Sequence, residues 1–169
     1  MAREPAAKGD SGKSREESEE DTFENRPSDL DDLTHQELRL MYDRASEAVL
    51  FAKNIQWRSV GSSLVVMAAF ITLATFGRPS DELANILGVS TIVLAGGVTF
   101  VLILYQFWQY NEIFRIVEIE KCFSTLYRKI RDIKSRREGD VHRYTLLLFM
   151  IGVEVAGAGV TLYVIKEIL

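Results

Sequence analysis

The sequence predicts an all-α membrane protein with three transmembrane helices, and three observations carry that prediction. Its apolar residues are gathered into three long runs. Its basic residues concentrate on one side of those runs. The polar segments beside them keep apolar positions at helical spacing.

The chain opens with a polar tail, residues 1–32. It holds 5 of the 20 lysines and arginines and 11 of the 24 acidic residues, so the acidic balance of the chain belongs to this segment. With one aromatic residue and few aliphatics it cannot bury enough apolar surface to offset the entropy of ordering, which predicts disorder. Its start lacks the charged, apolar and small succession of a cleaved signal peptide, so the first apolar run is expected to direct insertion.

Val60 to Phe76 is 17 residues without a charge, Leu83 to Trp108 is 26 more, and Thr145 to Ile165 is 21 broken only by Glu154. A hydrocarbon core about 30 Å thick needs roughly 20 helical residues. With their flanks, the spans are placed at about 59–77, 83–108 and 145–169. Trp57, Trp108, Tyr110 and Tyr144 stand where interface anchors belong. A soluble domain of this size has too little remaining chain to cover three such helices.

Orientation follows from the cations. Lys53 and Arg58 precede the first span, and nine basic residues from Arg115 to Arg143 separate the second from the third. The link "GRPSDE" has one, offset by Asp81 and Glu82. The N-terminus and the segment 109–143 are therefore expected in the cytoplasm, the link and the C-terminus outside, in a bacterial inner membrane.

Polar helices continue the spans. Thr34 and Glu37 form a capping-box pattern, with Leu33 and Leu38 spaced as a staple, which predicts a cytoplasmic helix over 34–58. Its apolar positions Leu38, Met41, Ala45, Ala48, Ala52 and Ile55 extend at the same spacing into Ser59, Ser62, Val66, Ala69 and Leu73. After the second span, Ile116, Ile119, Phe123, Leu126, Ile130 and Ile133 predict one helix over 109–138, capped at Gly139. Joined by a short link, the two spans with their extensions, residues 33–144, are expected to form one antiparallel hairpin. Ala45, Ala48 and Ala52 would face Ile119, Phe123 and Ile130 across it.

Glu154 is the tenth of 21 residues in the third run, near the bilayer centre. An acid there costs about 2.5–3.5 kcal/mol on insertion scales, so it must face protein or water and be protonated or hydrogen-bonded. No Lys or Arg lies inside any run. The depth-matched partners are hydroxyls: Thr72 on the first helix, Thr91 and Thr99 on the second. Gly157 and Ala158 predict a close helix approach beside the acid, and the adjacent Gly96 and Gly97 predict another contact or a flexible point. Two roles fit Glu154: a neutral hydrogen-bonding pin, or a proton or cation site repeated in a ring of subunits.

Other chemistry is sparse. The lone Cys122 excludes an intrachain disulfide, and His35 and His142, the two histidines, lack a surrounding ligand set, so no metal is expected. No phosphate-binding glycine loop, nucleophile elbow or paired carboxylates are present, so neither an enzyme nor a cofactor is expected. The run "YRKIRDIKSRREGD" mixes acids with its bases and lacks aromatic interleaving, which argues for a solvated helix end, or contact with anionic lipid, over nucleic acid.

Drawn as helix, span, short link, span and helix, the stretches Leu38 to Arg58, Val60 to Trp108 and Ile113 to Ile133 resemble the two-transmembrane effector domains of bacterial nucleotide-signalling immunity, the SLATT group. The likeness is architectural and has no diagnostic motif. It implies oligomerisation and pore formation triggered by a signal-sensing partner, and this chain departs from it by its third span. Two functions are expected: an oligomeric membrane protein that forms or gates an ion pathway at Glu154, or a non-catalytic accessory or scaffold subunit. The expected partners are the bilayer, further copies of the chain, and a membrane or cytoplasmic protein.

Overall fold

The structure, a computed structural model, describes residues 24–77, 80–133 and 136–168. The described chain is all-helical, with α1 at Asp32–Gly77, α2 at Asp81–Glu120, α3 at Thr125–Asp132 and α4 at Arg136–Ile168. Three of these, α1, α2 and α4, are long and apolar enough to cross a membrane. At 1.5 Å per residue they run about 69, 60 and 50 Å, so each exceeds a hydrocarbon core of about 30 Å by a polar extension.

Each start has a local cause. Asp31 caps α1: its Oδ1 accepts from Thr34 N–H at 2.9 Å, its Oδ2 from the Thr34 hydroxyl at 2.7 Å, and its carbonyl from His35 N–H at 2.9 Å. The predicted cap at Thr34, with Glu37, is therefore displaced by three residues. A carboxylate at the positive end of the helix dipole is the stronger acceptor. Ser80 caps α2, its hydroxyl accepting from Leu83 N–H at 3.4 Å, with Asp81 and Glu82 in the first turn.

The continuous helix expected over 109–138 is interrupted. α2 tightens into i→i+3 bonds at Cys122 and Phe123, and Ser124 turns extended. Its hydroxyl accepts from Tyr127 N–H at 3.3 Å to start α3. In "CFST", Ser and Thr satisfy backbone groups outside a helix as readily as within one, and Ser124 does so here. Gly139, the expected cap, lies inside the first turns of α4. Leu126, Ile130 and Ile133, expected along a seam, are exposed.

Part of the acidic tail is ordered. Arg26 exchanges two bonds with Thr125, N–H to Oγ1 at 2.8 Å and Thr125 N–H to the Arg26 carbonyl at 3.1 Å. Asn25 Oδ1 accepts from Leu126 N–H at 3.1 Å, and Ser28 Oγ donates to the Cys122 carbonyl at 2.9 Å. Residues 25–28 thus satisfy the first free N–H groups of α3 from about a hundred positions away. The disorder expected for residues 1–23 lies outside the described residues, as do Arg78 and Pro79 of the link.

The core lies where the three long helices meet. Val60, Val98, Leu102 and Met150 form one buried cluster, and Ala74, Ala84, Leu87 and Ile165 another near the link. Along α1 the buried positions are Ala45, Ala52, Gln56, Val60, Ser63, Met67 and Ala74, about 3.6 residues per turn. The predicted seam advanced by 3.5 and so agrees at Ala45 and Ala52, then falls one residue short at Ile55, Ser59, Ser62 and Val66. A straight helix drifts from a heptad seam by about 20° per heptad, and that drift separates the two sets.

Candidate functional site

Glu154 is fully buried. On α4 it belongs to a buried stripe, Met150, Glu154, Ala158, Thr161 and Ile165, at spacings of four, four, three and four. Its partner is Ser63 of α1, whose hydroxyl lies 2.6 Å from Oε2 and 2.8 Å from the Val60 carbonyl. Ser63 owns one hydroxyl hydrogen and faces two acceptors. Both contacts become hydrogen bonds when the carboxyl carries a proton and donates to Ser63 Oγ, while Ser63 donates to Val60. The second oxygen, Glu154 Oε1, is buried with no hydrogen-bond partner among the described residues.

None of the three predicted hydroxyl partners bonds to the acid. Thr91 is fully buried, but its hydroxyl donates to the Leu87 carbonyl of its own helix at 2.8 Å. Thr72 is exposed and donates to Ala68 in the same way, and Thr99 is half-buried. Thr161, about two turns beyond Glu154, donates to the Gly157 carbonyl at 2.8 Å. The acid's partner is instead the serine Ser63, which a seam advancing by 3.5 residues turns away from the interface in favour of Ser62.

The glycines divide. A Cβ on Gly157 would meet Leu64 Cδ2 at 2.8 Å and Met67 Sδ at 3.2 Å, so side chains of α1 fill the space where a side chain at 157 would go. Ala158 beside it is buried. Gly96 and Gly97 are exposed, and a Cβ on either would meet nothing within 4 Å. The close contact predicted for that pair is absent within the described chain, because both point away from α1 and α4.

A second polar site lies at the ends of the apolar runs. Gln56 Nε2 donates to the Leu102 carbonyl at 3.0 Å, and Gln109 Nε2 donates to Gln56 Oε1 at 2.9 Å, both side chains buried. The mirrored pairs Gln56–Trp57 and Trp108–Gln109 are the sequence signal for this contact. Farther out, Tyr42, Phe123 and Tyr127 pack edge-to-face or tilted with centroids 5.0 to 6.5 Å apart, and His35 packs at a tilt on Phe123 at 5.6 Å. Tyr127 donates to Tyr42 Oη at 3.1 Å, and burial together with that bond pushes the Tyr127 hydroxyl above its ordinary range. Arg131 Nε holds the buried Glu120 at 2.9 Å, which raises the guanidinium further still.

Among the described residues no three His, Cys, Asp or Glu side chains come together as metal ligands. Comparison with protein-family models, with curated proteins and with solved structures finds no match.

Proposed function

We propose that this chain is a three-span, non-catalytic accessory or scaffold subunit whose polar helical extensions dock a partner protein. The observation that carries this reading is a set of large apolar side chains left uncovered beyond the charge-free runs. Leu40 and Leu50 on α1, Phe114 on α2, and Ile130 and Ile133 beyond it are each more than half exposed. In water such side chains at this density mark an interaction surface. On this reading α1 and α2 form a hairpin that emerges on the side rich in lysine and arginine, the cytoplasm, in a bacterial inner membrane. Glu154 then pins α4 to that hairpin through Ser63.

Purification in mild detergent, followed by native mass spectrometry, tests the proposal. A heteromer of fixed stoichiometry is expected, lost on Leu40→Glu with Leu50→Glu. A chain that stays alone, or a heteromer indifferent to those changes, contradicts it.

A second reading is supported by one specific observation, the unpartnered Glu154 Oε1. An oligomeric assembly that conducts or gates ions would use that oxygen to receive a proton or cation at mid-membrane. The enclosure of the carboxyl within one protomer weighs against a lumen-facing ring. Flux through purified protein in liposomes, abolished by Glu154→Gln, would favour this reading over the first.

A further inference from the structure

Beyond the charge-free runs the helices enclose a half-open cavity of about 530 Å³, lined from α1, α2, α4 and Arg131 of α3. That volume falls in the range of about 300–1,000 Å³ usual for small-ligand sites. The lining includes Lys53, Tyr110, His142 and Arg143. Tyr110 is two residues beyond Trp108, and Arg143 two before Thr145, which puts each about 3 Å outside its apolar run. Lys53 stands seven residues before Val60, about 10 Å out on the polar side of the cavity. The polar zone of a bilayer leaflet is about 5–7 Å thick, so Tyr110 and Arg143 put the cavity at headgroup depth, with Lys53 at its outer side.

The cavity also has more donors than acceptors. Its two acids are engaged, Glu120 with Arg131 and Asp140 with Arg143. Among the described residues Arg131 bonds only through Nε and Arg143 only through one terminal nitrogen, so both guanidinium forks have further N–H groups to offer. Lys53 and His142 make no ion pair or hydrogen bond among the described residues. Surplus N–H donors around a cavity of this size call for an anion with several acceptor oxygens, as a phosphate has.

We propose that this cavity is a headgroup site for an anionic phospholipid, its phosphate held among Lys53, His142 and Arg143 and its acyl chains running back along the apolar runs. A soluble phosphate ester shares the recognition chemistry. The depth of the opening favours the lipid. The inference rests on the three long helices crossing a bilayer and is independent of the docking role proposed above.

The test is native mass spectrometry of the purified full-length chain titrated with phosphatidylglycerol, phosphatidylcholine or sn-glycerol 3-phosphate. One phosphatidylglycerol per chain is expected to be retained, with phosphatidylcholine and the soluble ester each bound about tenfold or more weakly. Lys53→Gln with His142→Gln should remove that preference, whereas Arg58→Gln, a cation on the same helix outside the cavity, should keep it. Equal binding of the two lipids, equal binding of the soluble ester, or a loss as large in Arg58→Gln would each overturn the site. All of these can occur in a chain that still partitions into membranes, so a failed lipid site is distinguishable from a failed span assignment.

Discussion

Between Val60 and Ala74, α1 meets its neighbours through apolar side chains, one serine hydroxyl and one carboxyl; between Tyr42 and Gln56 it meets them through the buried Ala45 and Ala52, an amide, rings and tyrosine hydroxyls. In the first region a polar group has few places to go. Glu154 therefore has a determinate partner, and Gly157 leaves its space to the α1 side chains of Leu64 and Met67. In the second, water competes for every charge, and the contacts that form depend on which partners the chain brings within reach. Glu120 pairs with Arg131, eleven residues on and across a helix break, while many other cations stand nearby in sequence. Scarcity of polar groups makes a region specific, and abundance leaves the choice to tertiary geometry.

The largest effect that would break this contrast is expected at Gly157. Gly157→Leu drives a side chain into Leu64 and Met67, and overpacking of this kind costs about 1–3 kcal/mol or more. Unfolding in mixed micelles should register it. Arg131→Ala strands the buried Glu120 carboxyl and should cost about 2 kcal/mol, relieved by adding Glu120→Gln in the same chain. A double-mutant cycle on Ser63→Ala and Glu154→Gln should return a coupling of about 0.6–1.7 kcal/mol, the span measured for hydrogen bonds between membrane helices. Gly96→Ala and Gly97→Ala should do no harm and gain up to about 1 kcal/mol of helix propensity, since a Cβ there meets nothing.

The smallest effect is local and depends on pH. The bonds from Thr34 hold the Asp31 carboxyl below its ordinary range. Because the folded value is the lower one, the cap is fully formed above the ordinary carboxylate range and is lost as pH falls through the depressed value. The protection factors of the Thr34 and His35 amides, which divide out the intrinsic pH dependence of exchange, should fall over that interval and stay constant from pH 6 to 8.

The three apolar helices and the inward turn of Glu154 were legible in the sequence because both follow from one large energy, the cost of polar groups in hydrocarbon. Ser63 was not, for a reason of period. A seam advancing by 3.5 residues selects Ser62, and the straight helix, advancing by 3.6, buries Ser63 instead. The break at Ser124 was hidden by the apolar spacing of Phe123, Leu126, Ile130 and Ile133, which continues through it. Nor could composition reveal Asn25 and Arg26 on α3, since a cap supplied across a hundred residues leaves no local pattern. Only the fold brings those donors and acceptors together.

Labelling with an apolar carbodiimide, applied to alkali-washed membranes and read by mass at residue 154, tests the central claim most directly. A chain that crosses the bilayer with Glu154 closed between α1 and α4 should stay in the washed pellet and leave that carboxyl unmodified until Gly157→Leu forces the helices apart. Rapid modification of the natural sequence, or release of the chain by the wash, would contradict the account.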